Sequence, residues 1–292
     1  MQNRATVAWL FLFPSLLLIS AFTLYPVIYS FTLSFQDFQF LTLTGTWIGF
    51  ENYRRLFDDP MLGRAFVNGL LWFVGNLIPQ IILGVGFALI LNMKFRGRGI
   101  VRTLVILPYF LPGISMFLTW RWMYYDVNGI INHVLQSVGL IDDRILWINS
   151  TNLAMMSVVV VGVWRYTPFV VLNCLARLSS IDSTLYEAAK VDGASVFQRF
   201  IYITLPQLRS VILIVVLLRG IFTFNKFEEI NVITEGGPLG STTTLPVLSY
   251  ERAFGALEVG EGSAINTLIF LILSVVAVLY LLNLKPAKEL DE

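Results

Sequence analysis

The chain alternates long apolar runs with shorter polar segments, and the lengths of the apolar runs predict its elements. A helix that crosses a bilayer needs about twenty consecutive, mostly apolar residues, each rising roughly 1.5 Å. Six runs meet this requirement. The predicted spans are 8–31, 68–91, 101–124, 153–176, 208–227 and 264–284. The predicted fold class is all-α, a polytopic membrane protein with six transmembrane helices.

Proline and glycine residues interrupt several of these runs. Membrane helices tolerate such residues because neighbouring helices satisfy the backbone groups that are freed. The run 101–124 contains two prolines, Pro108 and Pro112. We predict one span here, and a broken or re-entrant segment is the alternative.

The polar segments between the spans predict the orientation. The 92–102 loop contains four basic residues and no acidic one, which places it in the cytoplasm by the positive-inside rule. Both termini are then expected to be cytoplasmic. The outer loops, about 32–67, 125–152 and 228–263, are too short for separate domains. Residues 1–292 are therefore expected to form a single transmembrane domain.

Composition supports a membrane protein and excludes several kinds of chemistry. The chain is 56% hydrophobic and 13% charged, with a mean hydropathy of +0.73, against about 25% charged residues in soluble domains. A net charge of +1 gives no support to a nucleic-acid surface. One cysteine and one histidine exclude an internal disulfide and a two-histidine metal site. We therefore expect no catalytic residues, no metal site and no enzyme activity.

The inner loop 177–207 is far longer than a connection between two helices requires. Thr184–Glu187 and Ser195–Gln198 each fit a helix capping box. Gly193 lies between them and suits the left-handed residue that ends a helix. Pro206 is predicted to begin the next span, where its missing N–H is not needed. The loop is thus predicted to be two short helices joined by a tight turn.

The residues of the first short helix leave two interpretations open. It is amphipathic, and its small Ala188-Ala189 pair lies beside Glu187 and Lys190. Such a helix pair can rest on lipid headgroups. It can also serve as a docking element, because small side chains let another surface approach the backbone closely.

One pattern in this loop supports the docking interpretation through a resemblance to a known family. The pattern is Glu187-Ala188-Ala189-x3-Gly193-x9-Ile203-x-Leu205-Pro206. It resembles the EAA loop of permease subunits of binding-protein-dependent ABC importers. The chain is similar, more narrowly, to the maltose-type sugar permeases, the F-like member of the usual pair. The matching segments cover nearly the whole chain and are LYPVIYSFTLSF (24–35), GFENYRRLF (49–57), GRGIVRTLVILPYFLP (97–112), NGIIN (128–132), EAAKVDGASVFQRFIYITLPQL (187–208) and TEGGPLGSTT (234–243).

The resemblance implies a type I ABC importer permease fold and an ATPase-coupling role for the loop. The helix pair would lie in a cleft of a cytoplasmic ATPase, with Glu187 in polar contact and Gly193 setting the angle between the helices. The coupling residues implied are Glu187, Ala188, Ala189, Gly193, Leu205 and Pro206.

The resemblance also implies the partners and the location. These are a second homologous permease, two cytoplasmic ATPase subunits that bind ATP and Mg²⁺, and an extracytoplasmic binding protein, in a bacterial or archaeal cytoplasmic (inner) membrane. This chain itself would bind no cofactor. The substrate implied is a sugar or an oligosaccharide, with glycerol-phosphate or another polar solute as the alternative.

Two arginines lie near the middle of predicted spans, where a charge is costly and usually faces an interior, a cavity or a partner. Arg165 follows Trp164, with Asn173 two turns further along, and Arg219 precedes Asn225. We predict that these residues line a polar pathway for a sugar. Packing between subunits, or pairing with a carboxylate, is an equally open interpretation.

The outer segment at Gly236, Gly237 and Pro238 looks like a phosphate-binding loop but lacks the lysine. A turn is favoured, and the resemblance implies that it faces the binding protein. The pattern G-x-x-x-x-G-K-[ST] is absent from the sequence, so we expect ATP to bind to another chain.

Aromatic residues around Arg121 are predicted to form a belt at the membrane interface, with the arginine extending to the headgroups. These residues are Trp120, Trp122, Tyr124 and Tyr125.

An ion-coupled secondary transporter is the less favoured function. It would need carboxylates inside the membrane, and the predicted spans contain none. The sequence also shows no internal repeat of the kind common in such transporters.

Overall fold

The computed structural model describes residues 4–40 and 42–283, and its elements are almost all helical. The helices are α1 Arg4–Ile19, α2 Tyr25–Leu33, α3 Glu51–Asp58, α4 Pro60–Asn92, α5 Arg98–Phe110, α6 Gly113–Met123, α7 Ile130–Ser137, α8 Ala154–Ser179, α9 Ser183–Val191, α10 Val196–Arg199, α11 Leu205–Phe224, α12 Glu228–Thr234, α13 Leu245–Tyr250 and α14 Val259–Asn283. Three π-helical turns cover Ser20–Leu24, Phe200–Thr204 and Glu251–Gly255, and two strands are β1 Gln36–Gln39 and β2 Thr44–Trp47.

Five helical stretches of the described chain are long and apolar enough to cross a bilayer, at or near the predicted positions. They are Ala8–Leu33, Pro60–Asn92, Ala154–Ser179, Val196–Phe224 and Val259–Leu282. The predicted end of the last span, at residue 284, and both chain ends lie outside the described residues.

The run predicted as a single span over 101–124 is broken, as in the alternative that the sequence left open. Helices α5 and α6 meet at an angle of 98°. Leu111 and Pro112 between them are extended, with ψ of 142° and 127°. A proline disfavours the helical conformation in the residue before it and cannot donate a backbone hydrogen bond. Pro112 therefore ends α5, whereas Pro108 is tolerated inside it.

The chain divides into two compact units, Met1–Gly63 with Leu245–Ile272 and Arg64–Thr244 with Leu273–Glu292. In the second unit, α4, α8 and α11 share an apolar core that includes Leu91, Cys174 and Leu208. Gly84 allows α4 and α8 to approach closely, because a Cβ atom there would lie 2.4 Å from the Cβ of Val170. Small residues serve this purpose at helix contacts in membranes.

In the first unit, β1 and β2 form an antiparallel hairpin. The buried Asn52 amide donates to the carbonyls of Ser34 and Gln36, each at 2.9 Å. Arg252 binds the carboxylates of Asp59 and, at 3.2 Å, Glu258. These contacts lie within the first unit and hold the hairpin, α3 and the segment around Arg252 together.

Candidate coupling and translocation sites

The first helix of the inner loop, α9, begins two residues earlier than the predicted capping box would place it. Asp182 is the cap residue, and its carboxylate accepts the backbone N–H of Thr184 at 2.9 Å. That bond holds the pKa of Asp182 below its ordinary value. The predicted box at Thr184 and Glu187 is wrong, because Asp182 is a stronger cap residue and lies two positions before Thr184. The carboxylate of Glu187 is consequently not used in capping.

The turn after α9 is the predicted left-handed glycine turn. Gly193 has a φ of 77°. The N–H of Gly193 donates to the carbonyl of Lys190, and the N–H of Ala194 reaches back to Ala189 at 2.8 Å. These bonds satisfy carbonyls that the helix end would leave free. Nothing lies within 4 Å of the place where a Gly193 side chain would start, so the conformation alone requires glycine.

The second capping box is confirmed. The Ser195 hydroxyl accepts the N–H of Gln198 at 3.2 Å, and the Gln198 side chain accepts the N–H of Ser195 at 2.7 Å. Helix α10 therefore has a well-defined start directly after the turn.

Helix α11 begins at Leu205 with Pro206 in its first turn, as predicted. The second short helix is not separate from it, however, and continues into the span. Helix α10, the π-helical turn Phe200–Thr204 and α11 together form one helical stretch, Val196–Phe224. Within the turn, the Leu205 N–H donates to Phe200, five residues back. The wider turn makes room for Pro206 in the first turn of α11, where it would otherwise clash with a carbonyl one turn earlier.

The helix pair formed by α9 and α10 has an exposed, largely apolar surface. Glu187, Ala188 and Gly193 are exposed, and Ala189 is half-buried. The apolar side chains around them are Leu185, Val191, Val196 and Phe197, which are 45–88% exposed. We call this surface the coupling surface, and it consists of Leu185, Glu187, Ala188, Ala189, Val191, Gly193, Val196 and Phe197.

The two predicted pathway arginines have different surroundings. Arg219 is buried, and its guanidinium donates to the Gln80 side chain at 3.0 Å and to the Thr223 hydroxyl at 3.2 Å. It also lies 4.3 Å from the centre of the Tyr166 ring. Its charge is thus held inside a polar cluster between α4, α8 and α11.

Glu229 completes this cluster and was missed by the sequence analysis. It is fully buried at the start of α12. Its carboxylate accepts the Tyr166 hydroxyl and lies 3.4 Å from the Lys226 ammonium. The predicted span ended at residue 227, so Glu229 was assigned to an outer loop. The one local indication was the i,i+3 spacing of Lys226 and Glu229.

Arg165 supports the break between α5 and α6. Its guanidinium donates to the Leu111 carbonyl at 3.0 Å and lies 5.2 Å from the centre of the Phe117 ring. The Leu111 carbonyl is at the end of α5, so a cation there also interacts favourably with the helix dipole. The Arg165 Nε atom is buried and, within the described residues, has no hydrogen-bond partner.

Trp164 lines a cavity of about 350 Å³ beside this break. Its ring packs edge-on against Trp120, with ring centres 5.4 Å apart. The hydroxyl-bearing residues Ser115 and Thr119 also line the cavity. Trp120, which is predicted to lie in an interfacial belt, also forms part of this cavity.

Arg121 does not extend to headgroups as predicted. It forms an ion pair with Glu235 at 2.7 Å and donates to the Val232 carbonyl at 3.1 Å. Tyr124 is buried and donates to the Ser157 carbonyl at 3.1 Å. Helix α6 is therefore packed against α8 and α12 through these residues.

The remaining pathway candidates are not among the residues that line this cavity. The Asn173 amide donates to the Phe169 carbonyl of its own helix at 2.7 Å. Asn225 is exposed at the end of α11. The structure thus places Trp164 in the cavity lining, Arg165 at the carbonyl of the lining residue Leu111, and Arg219 in the buried cluster.

The outer segment around Gly236, Gly237 and Pro238 is a closely hydrogen-bonded turn. The Thr243 hydroxyl donates to the Gly236 carbonyl at 3.0 Å, and the Thr242 hydroxyl to Gly237 at 2.9 Å. The tip of the turn, Leu239, is 84% exposed. An apolar side chain is thus presented on a well-supported turn.

Comparisons with known proteins agree with this architecture. A family described as the binding-protein-dependent transport system inner membrane component matches residues 80–289. The trehalose/maltose transport system permease protein MalF of Thermococcus litoralis is 35% identical over 281 residues, or 96% of this chain and 94% of that protein. The lactose transport system permease protein LacF of Rhizobium radiobacter is 33% identical over 284 residues, or 96% and 94%.

A solved structure has the same fold. It is a bacterial alginate ABC transporter in complex with an alginate pentasaccharide-bound periplasmic protein. The matching chain has a TM-score of 0.82 at 22% identity, over 95% of this chain and 93% of that one. Taken with the membrane-spanning helices, the family match and the relatives establish that this chain belongs to the inner membrane components of binding-protein-dependent transport systems.

Proposed function

We propose that this chain is a permease subunit of an ATP-driven ABC importer that moves a sugar or an oligosaccharide by alternating access. The coupling surface carries the proposal, because its second helix continues into the span Val196–Phe224. A force applied to this surface from the cytoplasm therefore reaches the membrane interior through one continuous helix.

Each proposed partner is matched to a surface of this chain. The exposed apolar coupling surface, with Glu187 at its edge, fits a cleft in one of the two cytoplasmic ATPases that bind ATP and Mg²⁺. The supported turn at Gly236–Pro238 faces an extracytoplasmic binding protein. A second homologous permease supplies the other half of the pathway, and this chain binds no cofactor.

The orientation follows from charge. The basic 92–102 loop and the inner loop with the coupling surface are cytoplasmic, and so are both termini. ATP binding closes the ATPases, and residues 183–203 move the spans to the outward-open state. The binding protein then releases its ligand, and hydrolysis restores the inward-open state.

We place the sugar in the cavity beside the broken span. Its volume of about 350 Å³ lies within the roughly 300–1,000 Å³ of small-molecule sites. The faces of Trp120 and Trp164 can stack on sugar rings, while Ser115 and Thr119 offer hydroxyls. The relatives named above are permeases for trehalose/maltose and for lactose.

Reconstitution tests the proposed function. The chain is co-expressed with the ATPase, second permease and binding protein from neighbouring reading frames, and the complex is placed in proteoliposomes. We expect ATP hydrolysis that is stimulated by the sugar-loaded binding protein, together with uptake of labelled sugar. An ATPase variant unable to hydrolyse ATP is the control. Uptake that follows an ion gradient without ATP would instead identify a secondary transporter.

Trp164 is expected to affect sugar transport through stacking. Trp164→Ala removes one wall of the cavity, and the loss of about 1.4 kcal/mol of aromatic contact lowers kcat/KM for uptake about tenfold. Trp164→Phe should retain part of the activity. Trp122→Ala is the matched control, because Trp122 is an exposed tryptophan of helix α6 and does not line the cavity. Equal uptake kinetics in Trp164→Ala and Trp122→Ala would contradict the role of Trp164.

A further inference from the structure

We infer that two side-chain contacts join the coupling surface rigidly to spans four and five: Arg177 with Gln207, and Tyr186 with Thr204. We call these four residues the brace. The inference rests on the proposed function, and it concerns how movement at the coupling surface is transmitted. Arg177 and Tyr186 are positioning residues in this role.

The first contact joins the end of α8 to the start of α11. The Arg177 Nε atom donates to the Gln207 carbonyl at 3.1 Å, and a terminal nitrogen donates to the Gln207 side chain at 2.6 Å. A further nitrogen lies 3.4 Å from the Ser180 hydroxyl. The planar guanidinium thus binds both polar groups of one residue, a geometry that resists rotation.

The second contact joins α9 to the π-helical turn. The Tyr186 hydroxyl lies 2.9 Å from the Thr204 hydroxyl, and Thr204 is buried. The Thr204 hydroxyl proton is directed to the Arg199 carbonyl at 3.4 Å. With that carbonyl as an acceptor for Thr204, Tyr186 can donate in the contact between the two hydroxyls.

The backbone alone would leave α9 free to tilt. It is connected to α8 through the short segment 180–182 and to α10 through the exposed Gly193 turn. Within the segment 180–182, Ile181 packs on the core that α8 and α11 share. The brace adds contacts from α8 to α11 and from α9 to α11. Helices α8, α9 and α11 then form a closed triangle, and a displacement of α9 moves both spans together.

The first test compares coupling in the assembled transporter. Arg177→Ala removes the bidentate contact and is expected to raise the ATP hydrolysed per sugar transported at least threefold, while the ATPase subunits still co-purify. Gln207→Glu retains both acceptors and should keep the normal ratio. Arg209→Ala is the matched control, because Arg209 is exposed two positions from Gln207. An unchanged ratio in Arg177→Ala would overturn the inference, whereas a wild-type chain that binds no ATPase would overturn the proposed function.

The second test joins α9 to the turn covalently and does not depend on weakening the fold. The one cysteine, Cys174, is buried, and Cys174→Ala provides the background. Tyr186→Cys with Thr204→Cys is then linked by a cleavable bifunctional thiol reagent that spans the space of the tyrosine ring. We expect the linked transporter to import sugar, with a lower ATP-to-sugar ratio than the unlinked double variant. Arrest of uptake by the link, reversed on cleavage, would mean that α9 moves relative to span five and would overturn the inference.

Discussion

Glu187→Lys is expected to abolish sugar uptake while the chain still inserts into the membrane. Glu187 is exposed at the edge of the coupling surface and takes no part in capping α9, so its carboxylate is available to a partner. Charge reversal replaces a polar contact by repulsion at the interface. Like charges that face each other across an interface cost several kcal/mol, and a loss of about 2 kcal/mol already corresponds to about thirtyfold in binding.

The control for this prediction is Lys190→Glu. It reverses a charge on the same exposed helix, three residues from Glu187, and is expected to leave uptake near normal. Uptake of labelled sugar in proteoliposomes and co-purification of the ATPase are measured for both variants. Normal uptake with Glu187→Lys would show that the coupling surface is not where the ATPase binds.

Gly193→Pro examines the same surface through its geometry. Proline requires a φ near −65°, and Gly193 has a φ of +77°. The angle between α9 and α10 must then change, although no side chain of the surface has been altered. We expect loss of uptake with normal amounts of the chain in the membrane. The milder Gly193→Ala fits the free space there but strains the backbone, so it should have an intermediate effect.

Local features of the fold were predicted correctly where the responsible residues are close in sequence. The Ser195–Gln198 capping box and the left-handed Gly193 depend on neighbours within five residues. The spans were predicted because bilayer thickness sets a minimum length for an apolar run. The error at Thr184 is also local: Asp182 and Thr184 both suit a cap, and sequence spacing does not rank them.

Features that depend on distant residues were not predictable in the same way. The break at Pro112 is supported by Arg165, 54 residues from the Leu111 carbonyl that it binds. The burial of Glu229 depends on Tyr166, 63 residues away. A hydropathy pattern describes each run separately, so it cannot show that two distant side chains share one interior site.

The sequence left open whether the two arginines line a pathway or are paired inside the protein, and Arg219 fits the second alternative. Its hydrogen bonds to Gln80 and Thr223 satisfy it within the protein. Arg165, in contrast, has a buried nitrogen without a partner in the described part of the chain, and its neighbour Trp164 lines a cavity. Of the two arginines, Arg165 is therefore the better candidate for a role in the pathway.

Glu229→Leu is expected to give the largest loss of stability. The change removes the acceptor of the Tyr166 hydroxyl and the counter-ion of Lys226, and it leaves the nearby Arg219 charge without a buried carboxylate. The Lys226 side chain is partly exposed, so the loss comes mainly from the buried hydrogen bond to the carboxylate, which is worth about 2–3 kcal/mol. Thermal unfolding of the purified complex in lipid nanodiscs measures the effect. Glu228→Leu is the control, because Glu228 is exposed on the same helix, and we expect a change within about 0.5 kcal/mol.

Further variants distinguish the loss of the Glu229 interactions from steric misfit of the leucine side chain. Glu229→Gln keeps the shape and an acceptor for Tyr166 but removes the negative charge, so it should be destabilised less than Glu229→Leu. Adding Lys226→Met to Glu229→Gln removes the unpaired cation as well, and should restore part of the stability, because a neutral pair needs no counter-ion. If Lys226→Met gives no recovery, the charge of Lys226 is already satisfied by water, and the cluster depends on the Tyr166 hydrogen bond alone. If Glu229→Leu unfolds at the wild-type temperature, the buried carboxylate does not stabilise this part of the fold.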